Sequence, residues 1–181
     1  MTNRPAVFFD RDGTLMEEVN YCNDPAKVRA IPGAAEALAR LHLAGWRNVI
    51  VTNQSGLASG KILLSEYRAV EAELNRQMGG HVEAVYFCAD SSAAPGPRRK
   101  PAIGMLEEAS RDLGIALTES WMVGDKDIDI QCGRTAGCRT ILVRTGYGCL
   151  HLDSRPDFVA DDVGRAVDII FKNSLSCHAP Q

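Results

Sequence analysis

The sequence predicts an α/β fold, with a central parallel sheet, helices on both faces and no large cap domain. Short apolar runs alternate along the chain with amphipathic stretches of helical length, a pattern typical of βαβ units. The runs are apolar throughout rather than at every second position, as expected of strands buried on both faces. The 181 residues suit one domain. We expect this Rossmann-like domain to span residues 1–172, followed by a flexible C-terminal tail at 173–181.

Six apolar runs are predicted to form the strands of the sheet. Each run is short, and polar or turn-forming residues follow it directly. The predicted strands are Ala6–Asp10, Asn48–Thr52, Ala84–Cys88, Ser120–Val123, Arg139–Val143 and a short edge strand at Asp157–Ala160.

The segments between these runs predict five helices. Ser65 is a candidate N-cap of the second helix, with Glu66 and Glu71 near its positive end. Residues 53–62, which precede that helix, are predicted to form a loop. The predicted helices open near Pro32-Gly33 and end at Gly45, run from Ser65 to about Met78, span Ile103–Leu113, run from Gly124-Asp125 to about Ala136, and span Asp162–Phe171.

The composition gives no reason to expect a nucleic-acid or membrane partner. The formal net charge is −3, whereas surfaces that bind nucleic acid or anionic lipid are basic. No apolar run approaches the roughly 18 residues of a membrane span, and no secretory signal is evident. The six cysteines have no CxxC or CxC spacing, so we expect reduced thiols. We therefore expect a cytoplasmic protein, and a monomer.

Polar side chains follow four of the predicted strands where each strand ends. The carboxyl ends of parallel strands meet at one edge of the sheet, which is where ligands bind in folds of this class. We therefore expect these side chains to converge. In chain order they are Asp10 and Asp12, then Thr52, Asn53 and Gln54, then Arg98, Arg99 and Lys100, and finally Asp125, Lys126 and Asp129.

This set of side chains suits phosphoryl transfer to a carboxylate. Asp10 can act as a nucleophile that forms an aspartyl-phosphate. Attack by an anion on a phosphate is repulsive, so a hard cation such as Mg²⁺ is needed between them. Asp10 and Asp125 can supply side-chain ligands, and residue 12 its backbone carbonyl. The Asp12 side chain is then available to protonate the leaving oxygen and later to take a proton from water.

Thr52 and Lys100 complete the predicted chemistry, because a hydroxyl and an ammonium can hold the transferring phosphate oxygens. Each piece alone is weak: two acids after a strand usually form a solvated turn, and a basic run usually forms a solvated surface. Their occurrence in order, at the ends of successive strands, favours a site over four separate coincidences.

The same residues resemble the four motifs of the haloacid dehalogenase (HAD) superfamily of phosphatases. The resemblance covers about Ala6 to Phe171 and is closest to a small capless branch whose members act on heptose 1,7-bisphosphate or on histidinol phosphate. The motifs are DRDGT (10–14), TNQSG (52–56), RKP (99–101) and GDKDID (124–129).

The resemblance implies roles for the individual residues. It makes Asp10 the nucleophile and Asp12 the acid/base, with Asp10, the Asp12 carbonyl and Asp125 as the Mg²⁺ ligands. The implied phosphate contacts are Thr52 and Lys100. Asn53 and Arg99 match positions that touch substrate, and we place Gln54 and Arg98 with them. Asp129 is implied to orient Lys126 or metal-bound water.

One segment departs from that branch of the family. Relatives usually carry a structural zinc loop before the RKP motif, with a C-x-H start and a later C-x-C pair. Here Cys88 stands at the first cysteine position, but residues 88–101 read CADSSAAPGPRRKP and lack the other ligands. One thiolate cannot form a tetrahedral zinc site. We predict no structural zinc, with Cys88 as a core residue at a strand end, and with Arg98 and Arg99 replacing part of the loop's role.

The resemblance implies removal of the 7-phosphate of D-glycero-D-manno-heptose 1,7-bisphosphate, a small phosphorylated sugar. Alternatives are hydrolysis of histidinol phosphate and removal of 3′-phosphates from nucleic-acid ends. The acidic charge balance disfavours the nucleic-acid substrate. A non-enzymatic binding module is disfavoured because every residue that the chemistry needs is present.

Overall fold

A six-stranded parallel sheet forms the centre of the molecule, as predicted. The computed structural model describes residues 4–174. The strand order is β3-β2-β1-β4-β5-β6, and every neighbouring pair is parallel. The strand order reverses at β1, which therefore marks the switch point where ligands bind in open α/β sheets. The strands are β1 (Ala6–Phe9), β2 (Arg47–Asn53), β3 (Ala84–Cys88), β4 (Trp121–Gly124), β5 (Arg139–Val143) and β6 (Phe158–Ala160).

Five of the six α-helices found within residues 4–174 cover the two faces of this sheet. Alternate residues of β1 enter different cores: Val7 and Phe9 pack on one face, and Ala6 and Phe8 on the other. The first core is closed by α1, α3 and α6, and the second by α4 and α5. This two-sided burial explains the uninterrupted apolar runs. The helices are α1 (Ala34–Leu43), α2 (Ser55–Ala58), α3 (Leu64–Gln77), α4 (Gly104–Leu113), α5 (Asp127–Thr135) and α6 (Val163–Ser174).

Several predicted details are wrong. Ser65 does not cap α3: the N-cap is Leu63, whose backbone N–H donates to the Glu66 carboxylate at 2.7 Å. Part of the predicted loop at 53–62 is the one-turn helix α2. Strand β3 lies at the sheet edge and is half-buried over most of its length, so two-sided burial fails there.

The last described helix extends further than predicted. No inserted second domain occurs within residues 4–174. Helix α6 continues to Ser174, beyond its predicted end at Phe171. The rest of the predicted tail, 175–181, lies outside the described residues. None of the described helices has both the length and the apolar character that crossing a bilayer requires.

Candidate active site

Asp10 lies directly beyond β1 and is fixed between its neighbours. Its backbone N–H donates to the carbonyl of Val123 at 2.9 Å, which continues the pairing of β1 with β4. The Lys100 ammonium donates to Asp10 Oδ1 and to the carbonyl of Val51, both at 2.7 Å. Its third contact is an ion pair of 2.7 Å with Asp129 Oδ1. Lys100 is therefore bonded in three directions and fixed beside Asp10.

The surroundings of Lys100 keep it charged. Burial alone would lower the pKa of this ammonium, but the charges of Asp10 and Asp129 outweigh burial and raise it. A cation is thus present next to Asp10 at any pH near neutrality.

Three buried carboxylates form one cluster at this edge of the sheet. Asp10, Asp125 and Asp129 each offer an oxygen atom, and these atoms all lie within 4.8 Å of one another. Burial and the neighbouring charge of Asp10 raise the pKa of Asp125 to about 8. Asp125 Oδ2 accepts a hydrogen bond of 2.9 Å from the N–H of Tyr147, whereas Oδ1 is buried and accepts none from the described residues. An orphaned oxygen within a carboxylate cluster fits a hard divalent cation.

Glycine occupies two positions in the loops around Asp125, because a side chain at either position would collide with the Asp125 carboxylate. Gly13 has φ of +86°, and a Cβ atom there would lie 2.3 Å from Asp125 Oδ2. Gly146 has φ of +55°, and a Cβ atom there would lie 2.2 Å from the same oxygen. Thr145 Oγ1 donates to the carbonyl of Gly13 at 2.6 Å and ties the two loops together. Both positions need the left-handed backbone and the close approach that glycine permits.

Asp129 and Lys126 support the cluster from the start of α5. Asp129 Oδ2 accepts a hydrogen bond of 3.0 Å from the N–H of Lys126. The Lys126 ammonium lies 3.2 Å from Glu18 Oε2 and 3.9 Å from Asp125 Oδ1, above the ring of Tyr147. Sequence reasoning missed Glu18 and Tyr147, because neither belongs to a recognisable spacing.

The Asp12 side chain accepts three hydrogen bonds. Arg11 donates from Nε to Oδ2 at 3.1 Å and from Nη2 to Oδ1 at 3.0 Å. Gln54 Nε2 donates to Asp12 Oδ2 at 2.8 Å and to Thr52 Oγ1 at 2.9 Å. Gln54, predicted to touch substrate, thus joins two other site residues.

Two adjoining cavities open onto these side chains. The inner cavity, of about 40 Å³, is lined by Asp10, Thr52 and Lys100 among others. The outer cavity, of about 180 Å³, extends over the loop after β1 and the start of α2. Three residues line both cavities: Asp12, Asn53 and Lys126.

Of the residues predicted to contact substrate, Asn53 lines both cavities, whereas Arg98 and Arg99 bond to other parts of the protein. Asn53 accepts from the Lys100 N–H at 3.1 Å and donates to the Lys100 carbonyl at 3.0 Å. Arg99 donates to the carbonyl of Asp90 at 2.7 Å. Arg98 pairs with Glu108 of α4 at 3.0 Å. Neither arginine lines the two cavities.

Cys88 is the last residue of β3 and is buried, which confirms it as a core residue at a strand end. Burial raises the pKa of its thiol, so it is present as the neutral S–H. The absence of a structural zinc stays a prediction.

Comparison with known proteins gives concordant matches. A protein-family model described as HAD-hydrolase-like matches residues 97–166. The D-glycero-D-manno-heptose-1,7-bisphosphate 7-phosphatase of Thermosynechococcus vestitus is 40% identical, with 92% of this chain and 95% of that protein aligned. The enzyme of the same name from Chlorobaculum tepidum is 34% identical over 92% of this chain and 94% of that protein.

Solved structures are similar over almost the whole chain. The D,D-heptose 1,7-bisphosphate phosphatase of B. bronchiseptica, complexed with magnesium and phosphate, superposes with a TM-score of 0.86 at 29% identity, covering 93% of this chain and 99% of that one. The D,D-heptose 1,7-bisphosphate phosphatase of Burkholderia thailandensis gives a TM-score of 0.71 at 25% identity, with the same coverage of 93% and 99%.

Proposed function

This chain belongs to the HAD-like phosphatases, and on that premise we propose that it removes the 7-phosphate of D-glycero-D-manno-heptose 1,7-bisphosphate with the help of Mg²⁺. One observation carries the proposal. Asp10 contacts a charged, immobilised Lys100, belongs to a cluster of three buried carboxylates, and lines a cavity that adjoins a larger one. The inner cavity would hold the phosphoryl group that is transferred, and the outer cavity the sugar.

The residues present fit a Mg²⁺ ion. Asp10 and Asp125 would hold it, together with the backbone carbonyl of Asp12, and the orphaned Asp125 Oδ1 is the observation that supports this assignment. Bound Mg²⁺ supplies positive charge that offsets the repulsion between the nucleophile and the phosphate. A similar protein of known structure binds magnesium and phosphate.

The reaction then proceeds in two steps on the chain's own residues. An Asp10 carboxylate oxygen attacks phosphorus, the bond from phosphorus to the sugar oxygen breaks, and Asp12 donates a proton to that oxygen. Water next attacks the phosphorus of the aspartyl-phosphate, the bond from phosphorus to the Asp10 oxygen breaks, and Asp12 takes the proton from this water. Inorganic phosphate leaves, and both carboxyl groups return to their starting states.

Thr52 and Lys100 hold the phosphate oxygens during both steps. Both side chains line the inner cavity beside Asp10. The hydroxyl and the ammonium are donors fixed before the substrate arrives, so they need little reorganisation as charge develops.

The second phosphate of the substrate needs its own donor, for which we propose Arg99; because Arg99 lines neither cavity, this phosphate would extend beyond the outer one. A guanidinium has five N–H donors in a planar fork that suits phosphate. The structure shows one bond from this group, to the carbonyl of Asp90, and that bond anchors the side chain to the loop. Asn53 and Lys126, which line both cavities, are placed to contact the sugar.

The substrate assignment is tested by steady-state kinetics on a panel of phosphate esters. We expect the highest kcat/KM for heptose 1,7-bisphosphate, a lower value for the heptose monophosphate, and lower values again for histidinol phosphate and a 3′-phosphorylated oligonucleotide. A higher kcat/KM for histidinol phosphate would replace the assigned substrate while keeping the mechanism. Hydrolysis that needs no Mg²⁺ would contradict the mechanism itself.

A further inference from the structure

Arg11 is a fully buried arginine within the catalytic loop, between Asp12 and helix α3. Its side chain is 1% exposed, and it contacts Glu71 and Tyr67 of that helix. We propose that Arg11, supported by Glu71 and Tyr67, positions the Asp12 carboxylate for proton transfer. This inference rests on the proposed phosphatase function.

Arg11 and Asp12 form a bidentate ion pair. Hydrogen bonds of 3.1 Å and 3.0 Å run from Nε and Nη2 to the two different carboxylate oxygens. Two parallel bonds fix the plane of the carboxylate as well as its position, which a single donor cannot do. Gln54 adds a third hydrogen bond to Oδ2 at 2.8 Å.

Helix α3 supports the far side of the guanidinium. Glu71 Oε2 lies 3.9 Å from Arg11 Nη1 and accepts a hydrogen bond of 2.9 Å from the Tyr67 hydroxyl. The Tyr67 ring centroid lies 5.5 Å from the guanidinium carbon. Burial raises the pKa of Glu71, and the nearby Arg11 charge and the Tyr67 hydroxyl oppose that rise. Because Nη1 makes no hydrogen bond to the described residues, this side of Arg11 depends on the charge of Glu71.

The position of Asp12 explains why its orientation matters. Asp12 lines both cavities, so it lies where a phosphoryl group beside Asp10 would join the rest of the substrate. The oxygen that needs a proton when the ester breaks is the atom at that junction. Proton transfer is effective only over a hydrogen-bond distance. A carboxylate that rotates away from the junction therefore loses its function while remaining in the site.

The test compares two leaving groups, because the need for a proton differs between them. An alkoxide leaves poorly without protonation, whereas 4-nitrophenolate leaves without it. The quantity to measure is kcat/KM, which reports the steps up to release of the first product. We compare heptose 1,7-bisphosphate with 4-nitrophenyl phosphate, using the full chain with Mg²⁺. The kcat/KM for the sugar phosphate is divided by the kcat/KM for 4-nitrophenyl phosphate. This ratio falls when proton donation is lost and stays constant when the whole site is damaged.

We expect Glu71→Gln and Tyr67→Phe each to lower kcat/KM for the sugar phosphate by roughly tenfold, a part of the ~10²–10⁴-fold that general acid–base catalysis contributes. For 4-nitrophenyl phosphate we expect a change of less than about twofold, since that leaving group needs no proton. Arg11→Lys keeps the positive charge but loses the two parallel hydrogen bonds to Asp12. It should therefore lower the ratio more than Glu71→Gln or Tyr67→Phe does. Thermal unfolding midpoints identify any variant that fails to fold, and Tyr67→Phe keeps the buried ring.

Two controls make the result specific. Glu73→Gln changes a half-buried glutamate on the same helix, bonded to Arg76 and Gln77, and should leave the ratio unchanged. Adding Glu71→Gln to an Asp12→Asn variant should change the ratio no further, because the positioned group is already gone. Equal losses on both substrates in Glu71→Gln and Tyr67→Phe would overturn the positioning role. A wild-type chain that hydrolyses neither substrate would instead overturn the proposed function.

Discussion

The Asp129 carboxylate forms an ion pair of 2.7 Å with the Lys100 ammonium, and both side chains are buried. Lys100 also contacts Asp10, the proposed nucleophile, at 2.7 Å. When Asp10 becomes an acyl phosphate it loses its negative charge, and Asp129 then remains as the anionic partner of Lys100. Asp129 thereby keeps the lysine in place through both steps of the proposed reaction.

Replacing Asp129 should therefore destabilise the protein. In Asp129→Asn the buried Lys100 loses one of its two anionic partners, and removal of one partner of a buried ion pair costs about 3 kcal/mol. Urea denaturation measures the free energy of unfolding. The control is Asp168→Asn, which removes an exposed carboxylate paired with Arg40 and should cost at most ~1 kcal/mol. Equal losses in the two variants would contradict the assigned role of Asp129.

Replacing the nucleophile should abolish turnover without unfolding the chain. Asp10→Asn removes the attacking oxygen, so kcat should fall by ~10³-fold or more on any phosphate ester. Initial rates of phosphate release measure the effect. Asp112→Asn, which alters a carboxylate bonded to the Tyr86 hydroxyl, should retain full activity. Turnover at the wild-type rate in Asp10→Asn would exclude the covalent route.

The metal-free protein should lose stability as pH rises because of Asp125. Its pKa is raised to about 8, so the folded state binds this proton more tightly than the unfolded state does. The resulting stability is present at low pH and is lost as pH rises toward about 8. We expect Asp125→Asn to flatten this part of the pH profile of the unfolding midpoint, measured with a chelator present. Added Mg²⁺ should stabilise the wild type most at the upper end of that range, and a wild-type profile that matches Asp125→Asn would refute this.

The close approach of Gly13 to Asp125 offers a matched pair of glycine variants. Gly13 and Gly45 have similar φ angles of +86° and +84°, but a Cβ atom would meet Asp125 only at Gly13 and would meet nothing at Gly45. Gly13→Ala should therefore lower the Mg²⁺ affinity and reduce kcat by about 100-fold, as do other mutations that disturb the residues around a metal ligand. Gly45→Ala imposes similar backbone strain, of about 1 kcal/mol, and should affect stability alone. Titration of activity with Mg²⁺ separates the two, and the same Mg²⁺ dependence in both would contradict the steric argument.

The role of Arg99 is testable against its neighbour in the chain. Arg99→Ala should raise KM for heptose 1,7-bisphosphate by about tenfold, the loss of a charge-assisted phosphate contact. The KM for 4-nitrophenyl phosphate, which has no second phosphate, should not change. Arg98 pairs with Glu108, so Arg98→Ala should leave both constants within about twofold of the wild type. An unchanged KM in Arg99→Ala would remove this residue from the substrate site.

Sequence reasoning succeeded where local pattern determines structure. The apolar runs identified the six strands found within residues 4–174, and the polar residues after four of those runs identified the edge at which Asp10, Thr52 and Lys100 meet. That success has a physical basis, since parallel strands bring their carboxyl ends together whatever separates them in the chain.

The support behind these residues could not be predicted in the same way. Glu71 was expected near the positive end of its helix, whereas it lies near the middle of α3, half-buried behind Arg11. The packing of α3 in the folded chain decides which of its sides faces the loop after β1. The local sequence pattern does not predict that packing. Arg98 and Arg99 are adjacent in the sequence, yet they have different partners, Glu108 and the carbonyl of Asp90.

Asn53 bonds to both the N–H and the carbonyl of Lys100, as a neighbouring strand would. The position of Lys100 is thereby fixed by β2 and not by residues 89–98, which precede it in the chain. We therefore expect changes in the length or sequence of residues 89–98 to leave the cation beside Asp10 in place. The same bonds permit diversification, because selection can alter the segment that carries Asp90, the anchor of Arg99, while the chemistry beside Asp10 stays unchanged.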